Sequence, residues 1–252
     1  MVKSQSQASK RDRLDQVLVS RGLAGSRQQA HRLILSGVVK VDGIPIDKRA
    51  KLVEESARIV LDIPETAYVS RGGSKLAAAL EAFHIPCQGR VAMDVGASTG
   101  GFTDCLLQRG ASRVYAVDVG YGQLDWKIRT DPRVVVLERC NIRYLKREAV
   151  PDPVDLAVID VSFISLKIVI PAVLTFLDKR GRMVALVKPQ FEVGKGQVGR
   201  GGVVRNENQR MLVKGQLLEF FKTLGLEVIG VMDSPVLGRK GNKELLVALR
   251  RE

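Results

Sequence analysis

The chain has 252 residues, is 45% hydrophobic and carries a formal net charge of +13. That length accommodates one large domain plus a small one, and so apolar a composition excludes a disordered or fibrous chain. Three widely spaced cysteines without a C-x-x-C pair, and only two histidines, exclude a disulfide scaffold and offer no zinc motif, while the basic balance points to a polyanionic partner, nucleic acid before an anionic membrane.

In chain order, residues 1–9 read as a disordered tail, 10–63 as a small domain, 64–67 as a linker and 68–252 as the large domain. Residues 1–63 hold 12 Lys/Arg against 7 Asp/Glu, and the whole of that excess already lies in residues 1–32. Arg13–Arg21 is expected to form a short helix with Leu14, Val17 and Leu18 on one face. Ser26 caps a second helix through Leu35, with Ala30, Leu33 and Ile34 inward, and Gly37 stops it. Short strands follow at Val38–Val41 and Arg58–Asp62, with the Asp42-Gly43 turn signal between them. From Tyr68 the pattern changes. A helix is expected at Ser74–Phe83, strands at 90–94, 113–118, 134–138, 155–159, 182–188, 226–232 and 245–249, and further helices at 101–109, 167–177 and 206–224. Seven strands alternating with helices predict an α/β fold, a doubly wound, mostly parallel Rossmann-like sheet. The polar N-terminus has no signal-peptide core. The most apolar stretch, Leu156 to Leu177, contains Asp160, Lys167 and Pro171. Two charges near a bilayer centre would cost roughly 2.5–3.5 kcal/mol each, so that stretch is expected to be strand plus helix in a cytoplasmic protein that does not enter membranes.

The segment RVAMDVGASTGGFTD (Arg90–Asp104) carries the sharpest signal. A buried strand ends at Asp94, Gly96, Gly100 and Gly101 form a tight turn, and a helix follows. This is how α/β proteins present backbone N–H groups to a nucleotide-like ligand. No Lys-Ser/Thr follows the glycines, which excludes a P-loop. Asp118, at the end of the next strand, can accept from both ribose hydroxyls of an adenosine. Dinucleotide and S-adenosylmethionine sites share these features. Asp94 favours S-adenosylmethionine, whose ammonium needs an anion where a pyrophosphate does not.

Charged residues also interrupt the apolar pattern at strand ends. Asp160 follows LAVI, Lys188 follows MVALV and Glu244 precedes LLVAL, with Lys75 entering the helix after SRGGS. In open α/β sheets ligands bind beyond the carboxyl ends of parallel strands, and Glu244 reaches the same edge if the final strand is antiparallel. Two lysines and two acids beside a cofactor suit methyl transfer to a hydroxyl. A lysine whose pKa falls below the usual ~10.4 through a nearby cation or burial can accept the proton. Lys188 is the expected base and Lys75 the second cation, with Asp160 and Glu244 positioning both.

SRGGSKL, DVGASTGGFTD, VDVG, DVSFISL, LVKPQFE and GNKE together resemble the hemolysin A (TlyA) group of FtsJ/RrmJ-like ribose 2'-O-methyltransferases. RLDQVLVSRGLAGSRQQAHRLILSGVVKVDG resembles the RNA-binding domain of the ribosomal protein S-four type. The resemblance covers nearly the whole chain from Lys10. It implies a Lys-Asp-Lys-Glu catalytic tetrad at Lys75, Asp160, Lys188 and Glu244. The S-adenosylmethionine site it implies comprises Gly96, Ala97, Ser98, Thr99, Gly100, Gly101, Phe102, Thr103, Asp118 and Asn141, beside which Asp94 and Asp160 are also read as cofactor contacts, and no metal is expected. The implied substrate is ribosomal RNA, free or in a ribosomal subunit, methylated on cytidine 2'-hydroxyls. Arg11, Arg13, Arg21, Arg27 and Arg32 flank the two N-terminal helices and are read as phosphate contacts. Lys195, Arg200 and Arg205, in the glycine-rich segment after Lys188, are read the same way. The alternatives are a ribosome-assembly factor with a vestigial methyltransferase fold and a membrane-active hemolysin.

Overall fold

A computed structural model describes residues 11–35, 37–48, 50–54, 56–61, 67–194, 198–199, 201–238 and 241–251, with the side chains of residues 28, 32 and 35 outside that description. The chain divides into two compact units, Met1–Glu65 and Thr66–Glu252. Strand β1 (Arg11–Arg13) of the first unit runs into helix α1 (Leu14–Ser20), and α2 (Arg27–Leu35) follows. The unit continues with β2 (Val39–Val41), β3 (Ile44–Pro45), β4 (Leu52–Glu54) and β5 (Ile59–Leu61). Strand β1 pairs antiparallel with β4, and the other three form a sheet in the order β3-β2-β5. Gln29 N donates to Ser26 Oγ at 3.2 Å, the cap expected for α2. Asp42 and Gly43 both take positive φ (50° and 83°), the backbone of a tight hairpin turn; it joins β2 to the two-residue β3, and β5 pairs on the other side of β2. Leu14, Leu18, Ala30, Ile34 and Val39 form the fully buried centre.

The second unit opens with α3 (Arg71–Ala82), β6 (Val91–Val95), α4 (Gly101–Gln108) and β7 (Arg113–Asp118). Then come α5 (Trp126–Arg129), β8 (Val134–Glu138), β9 (Val154–Ile159) and α6 (Leu166–Leu174). It closes with β10 (Leu177–Val187), α7 (Pro189–Glu192), α8 (Glu207–Thr223), β11 (Leu226–Asp233) and β12 (Leu245–Arg251). The seven strands stand in the order β11-β12-β10-β9-β6-β7-β8, and β12 runs antiparallel to both neighbours. Central strands are near-continuous apolar runs because both sheet faces are covered. Met93, Val95, Ala157 and Ile159 pack with Val169, Ile170 and Val173 of α6 and Val213, Leu217 and Phe221 of α8. Their neighbours Ala92, Leu156 and Val158 pack with Leu76, Ala79 and Leu80 of α3 and Cys105 and Leu106 of α4. The sheet is therefore doubly wound, and its strand order reverses between β6 and β9. A crevice opens at that point in such folds.

Beyond the short elements β1, β3, β4, α5 and α7, which the sequence pattern does not give, two of the expected connections depart from expectation. Helix α3 begins at Arg71 rather than Ser74, through two glycines of poor helix propensity, because Gly73 lies against the Tyr68 ring so closely that a Cβ would stand 2.3 Å from it. Tertiary contact overrides propensity there. Helix α6 stops at Leu174 and β10 begins at Leu177, where it pairs with Val154 before a register shift returns pairing at Arg182. The same stretch, Leu156 to Leu177, is strand and helix as expected. Among the described residues no helix is long and apolar enough to cross a membrane.

Candidate active site

The turn after β6 is set by contact with β9. Gly96 has φ +89°, and a Cβ there would stand 2.6 Å from the Asp160 backbone oxygen. Only glycine satisfies both limits. Asp160 N in turn donates to Val95 O at 2.9 Å, which locks the ends of β6 and β9 together. Gly100 adopts the left-handed conformation (φ 94°) ahead of α4, and Ser98 also has positive φ. Asp118 braces the turn. Its two carboxylate oxygens accept from Ser98 N at 2.7 Å and Gly120 N at 2.6 Å.

Two cavities meet across this turn. The larger, about 420 Å³, is lined by Val95, Gly96, Ser98, Asp118, Asn141 and Phe163 among others. The smaller, about 230 Å³, is lined by Lys75, Ala97, Thr99, Gly101, Phe102 and Leu237 among others. Gly96, Ser98 and Asp160 belong to both walls. Asn141 accepts from Arg143 N at 3.1 Å, holding its side chain at the start of a short 3₁₀ turn.

Lys75 of α3 and the three charged residues at strand ends form two ion pairs. Lys75 Nζ lies 2.5 Å from Glu244 Oε2 although 169 residues separate them. Lys188 Nζ lies 2.6 Å from Asp160 Oδ1 and donates to Ser162 Oγ at 2.9 Å. Lys75, Glu244 and Lys188 keep 11%, 3% and 12% of their side-chain surface, whereas Asp160 keeps 24% on the cavity wall. Glu244 does sit ahead of an antiparallel last strand, β12. Gly238 makes room for it, since a Cβ there would overlap the Glu244 carboxylate.

Asp94 lies near the end of β6, just ahead of the glycine turn. It is fully buried and lines neither cavity. Its Oδ2 accepts from Thr103 Oγ1 at 2.7 Å, and its Oδ1 has no protein partner. Burial pushes its carboxyl up to about 7; the Thr103 hydrogen bond opposes that rise and nearby Asp160 and Asp118 add to it. Three further residues that sequence reasoning gave no role also bear on the site. Ser162 holds Lys188. Phe163 has φ +65°, is 86% exposed and packs its ring 5.0 Å from that of Phe191. Glu192 accepts from Ser165 Oγ at 2.6 Å and Leu166 N at 2.8 Å, joining α7 to the start of α6. All lie within the DVSFISL and LVKPQFE motifs, but their residue types do not interrupt the surrounding pattern.

Of the arginines read as phosphate contacts, Arg11 pairs with Glu54 at 3.0 Å, Arg13 pairs with Asp15, and Arg21 donates to Ala57 O at 2.7 Å. Arg27 stands 3.9 Å from Asp15. His31, for which no acidic partner stood nearby in sequence, bonds to the same Asp15 at 2.8 Å. Arg205 is exposed, Lys195 and Arg200 lie outside the described residues, and only the backbone of Arg32 is described. No group of three or more His, Cys, Asp or Glu among the described residues could hold a metal ion.

A seven-stranded sheet with one antiparallel strand near its edge, a glycine turn at the switch point and an acid closing the next strand defines a methyltransferase of the Rossmann-like class. The FtsJ-like methyltransferase family matches residues 68–251, and the chain belongs to that family. An S4 domain matches residues 12–59. The chain is 51% identical over 245 residues to the 16S/23S rRNA (cytidine-2'-O)-methyltransferase TlyA of Mycobacterium tuberculosis, covering 97% of this chain and 91% of that one. It is 38% identical to Hemolysin A of Brachyspira hyodysenteriae, covering 93% and 98% of the two chains. A solved hemolysin-like protein of Streptococcus thermophilus matches with a TM-score of 0.75 at 40% identity, covering 97% of this chain and 90% of that one.

Proposed function

We propose that this protein transfers a methyl group from S-adenosylmethionine to a ribose 2'-oxygen of ribosomal RNA, on cytidine. The observation that carries this reading is the common wall of Gly96, Ser98 and Asp160 between a cavity suited to an adenosine and a second cavity lined by Lys75. Asp118 and Asn141 would take the ribose and base side of the cofactor, with the positive-φ turn from Gly96 to Gly101 against its backbone. Asp160, on the wall of both cavities, would face the ammonium. The unpartnered, buried Asp94 Oδ1 sits behind this turn, as a polar group that gains from a nearby cation would. The cofactor supplies an electrophilic sulfonium methyl; the rest of the chemistry falls to side chains. Lys188, oriented by Asp160 and Ser162, accepts the 2'-hydroxyl proton in its neutral amine form as the oxygen attacks. Lys75, held by Glu244, stands against the developing negative charge.

The N-terminal unit, in this reading, grips the RNA through Arg11, Arg13, Arg21, Arg27 and Arg32, and Lys195, Arg200 and Arg205 contact its phosphates. The relatives' rRNA methyltransferase name and the intact tetrad favour catalysis over a vestigial fold. The test is to incubate the purified chain with labelled S-adenosylmethionine and ribosomal subunits from cells lacking such methylation. Label at a cytidine 2'-oxygen is expected; label on a base or on protein would refute the reading.

A further inference from the structure

Three side chains of the N-terminal unit converge on one buried acid. Asp15, in the first turn of α1, keeps 1% of its side-chain surface. Arg13, just ahead of that helix, donates from Nε and Nη2 to its two oxygens at 3.0 and 3.1 Å. Arg27 and His31, one turn apart on α2, approach the same Oδ2 at 3.9 and 2.8 Å. The outer parts of these side chains remain open, with 44% of Arg13, 57% of Arg27 and 32% of His31 exposed. Arg13 beside Asp15 holds its carboxyl well below the usual carboxylate range.

A guanidinium has five N–H donors, and the bidentate pair with Asp15 uses two of Arg13's. The remaining donors are left for another partner, on a side chain that keeps 44% of its surface. An arginine already held this way loses less rotamer freedom when it meets a phosphate. We propose that Asp15 is a positioning residue for RNA: it fixes Arg13, Arg27 and His31 as a preorganised patch that receives phosphodiester groups. The proposal rests on the reading of this unit as the RNA-gripping part.

It makes a prediction opposite to charge counting. Removing a negative charge from a basic surface should tighten polyanion binding; here the loss of order outweighs the gain of charge. Asp15→Asn in the full chain, titrated with extracted ribosomal RNA, is expected to bind about tenfold more weakly because the arginines must be ordered anew. The slope of log affinity against log salt should shrink by about one phosphate contact. Arg13→Gln should weaken binding severalfold in the wild type and less than about twofold in the Asp15→Asn background, because the two act as a unit. Unchanged or tighter binding by Asp15→Asn with its melting transition intact, or additive losses, overturns the proposal. If Asp15→Asn does not fold, His31→Gln serves instead. A severalfold loss is expected, and an unchanged affinity overturns the proposal. Unchanged RNA affinity on combining Arg13→Gln with Arg27→Gln would overturn the RNA-gripping role itself, a separate failure.

Discussion

Asp94 and Asp160 stand at the ends of the neighbouring parallel strands β6 and β9 in different surroundings. Asp160 faces the cavities and is paired with Lys188, whereas Asp94 is sealed beneath the turn with Thr103. The Asp94 carboxyl stands at about 7, above its unfolded value, so the folded state binds the extra proton. Its stabilising contribution is full below about pH 4 and is lost as pH rises toward 7, at about 1.4 kcal/mol per pKa unit. Asp94→Asn is therefore expected to melt progressively higher than wild type as pH is raised from 5 to 8; a constant gap would contradict this. The four paired residues could be picked out in the sequence because a charge bordering an apolar strand costs desolvation unless something offsets it. Glu192 and Ser162 were not legible, since a Ser and a Glu between strand and helix are ordinary. The burial of Asp94 was hidden too: a strand end and a cavity wall read alike until the packing of α4 is known.

At the level of elements, the site depends on how two connections are clamped. Glu192 ties α7, which follows Lys188, to the N-terminus of α6, which follows Asp160 and Ser162. Burial raises the Glu192 carboxyl, and its hydrogen bonds to Leu166 N and Ser165 oppose that rise. Glu192→Ala is expected to lower stability by about 1–3 kcal/mol and to slow methyl transfer more than it weakens S-adenosylmethionine binding; calorimetry and single-turnover rates check this. The β6–α4 turn is stricter. Gly96→Ala must place a Cβ 2.6 Å from backbone at positive φ, with an expected loss of about 2 kcal/mol or more, read as a lowered melting temperature and lost cofactor binding. The long central strands were legible from their apolar runs, and β7 and β8 matched to the residue. Strands β1, β3 and β4 have only two or three residues and, unlike β2 and β5, no apolar β-branched run; they exist because neighbours pair with them. The early start of β10 comes with a register shift against β9, which no single-strand pattern contains.

The molecule joins an S4 unit to an FtsJ-like methyltransferase in a chain of net charge +13. The division of labour proposed for the two parts makes RNA affinity and cofactor affinity separable. Charge removal in the N-terminal unit should weaken RNA binding and flatten its salt dependence while leaving S-adenosylmethionine affinity unchanged, as parallel titrations would register. The tetrad reading is the central claim, and Lys188→Ala tests it most directly, with S-adenosylmethionine titrated calorimetrically and methyl transfer to ribosomal subunits followed in a single turnover. The account predicts cofactor affinity within about twofold of wild type and a transfer rate lower by about 10²–10⁴-fold, the contribution of a general base. A Lys188→Ala variant that binds the cofactor and methylates the RNA at the wild-type rate would contradict it.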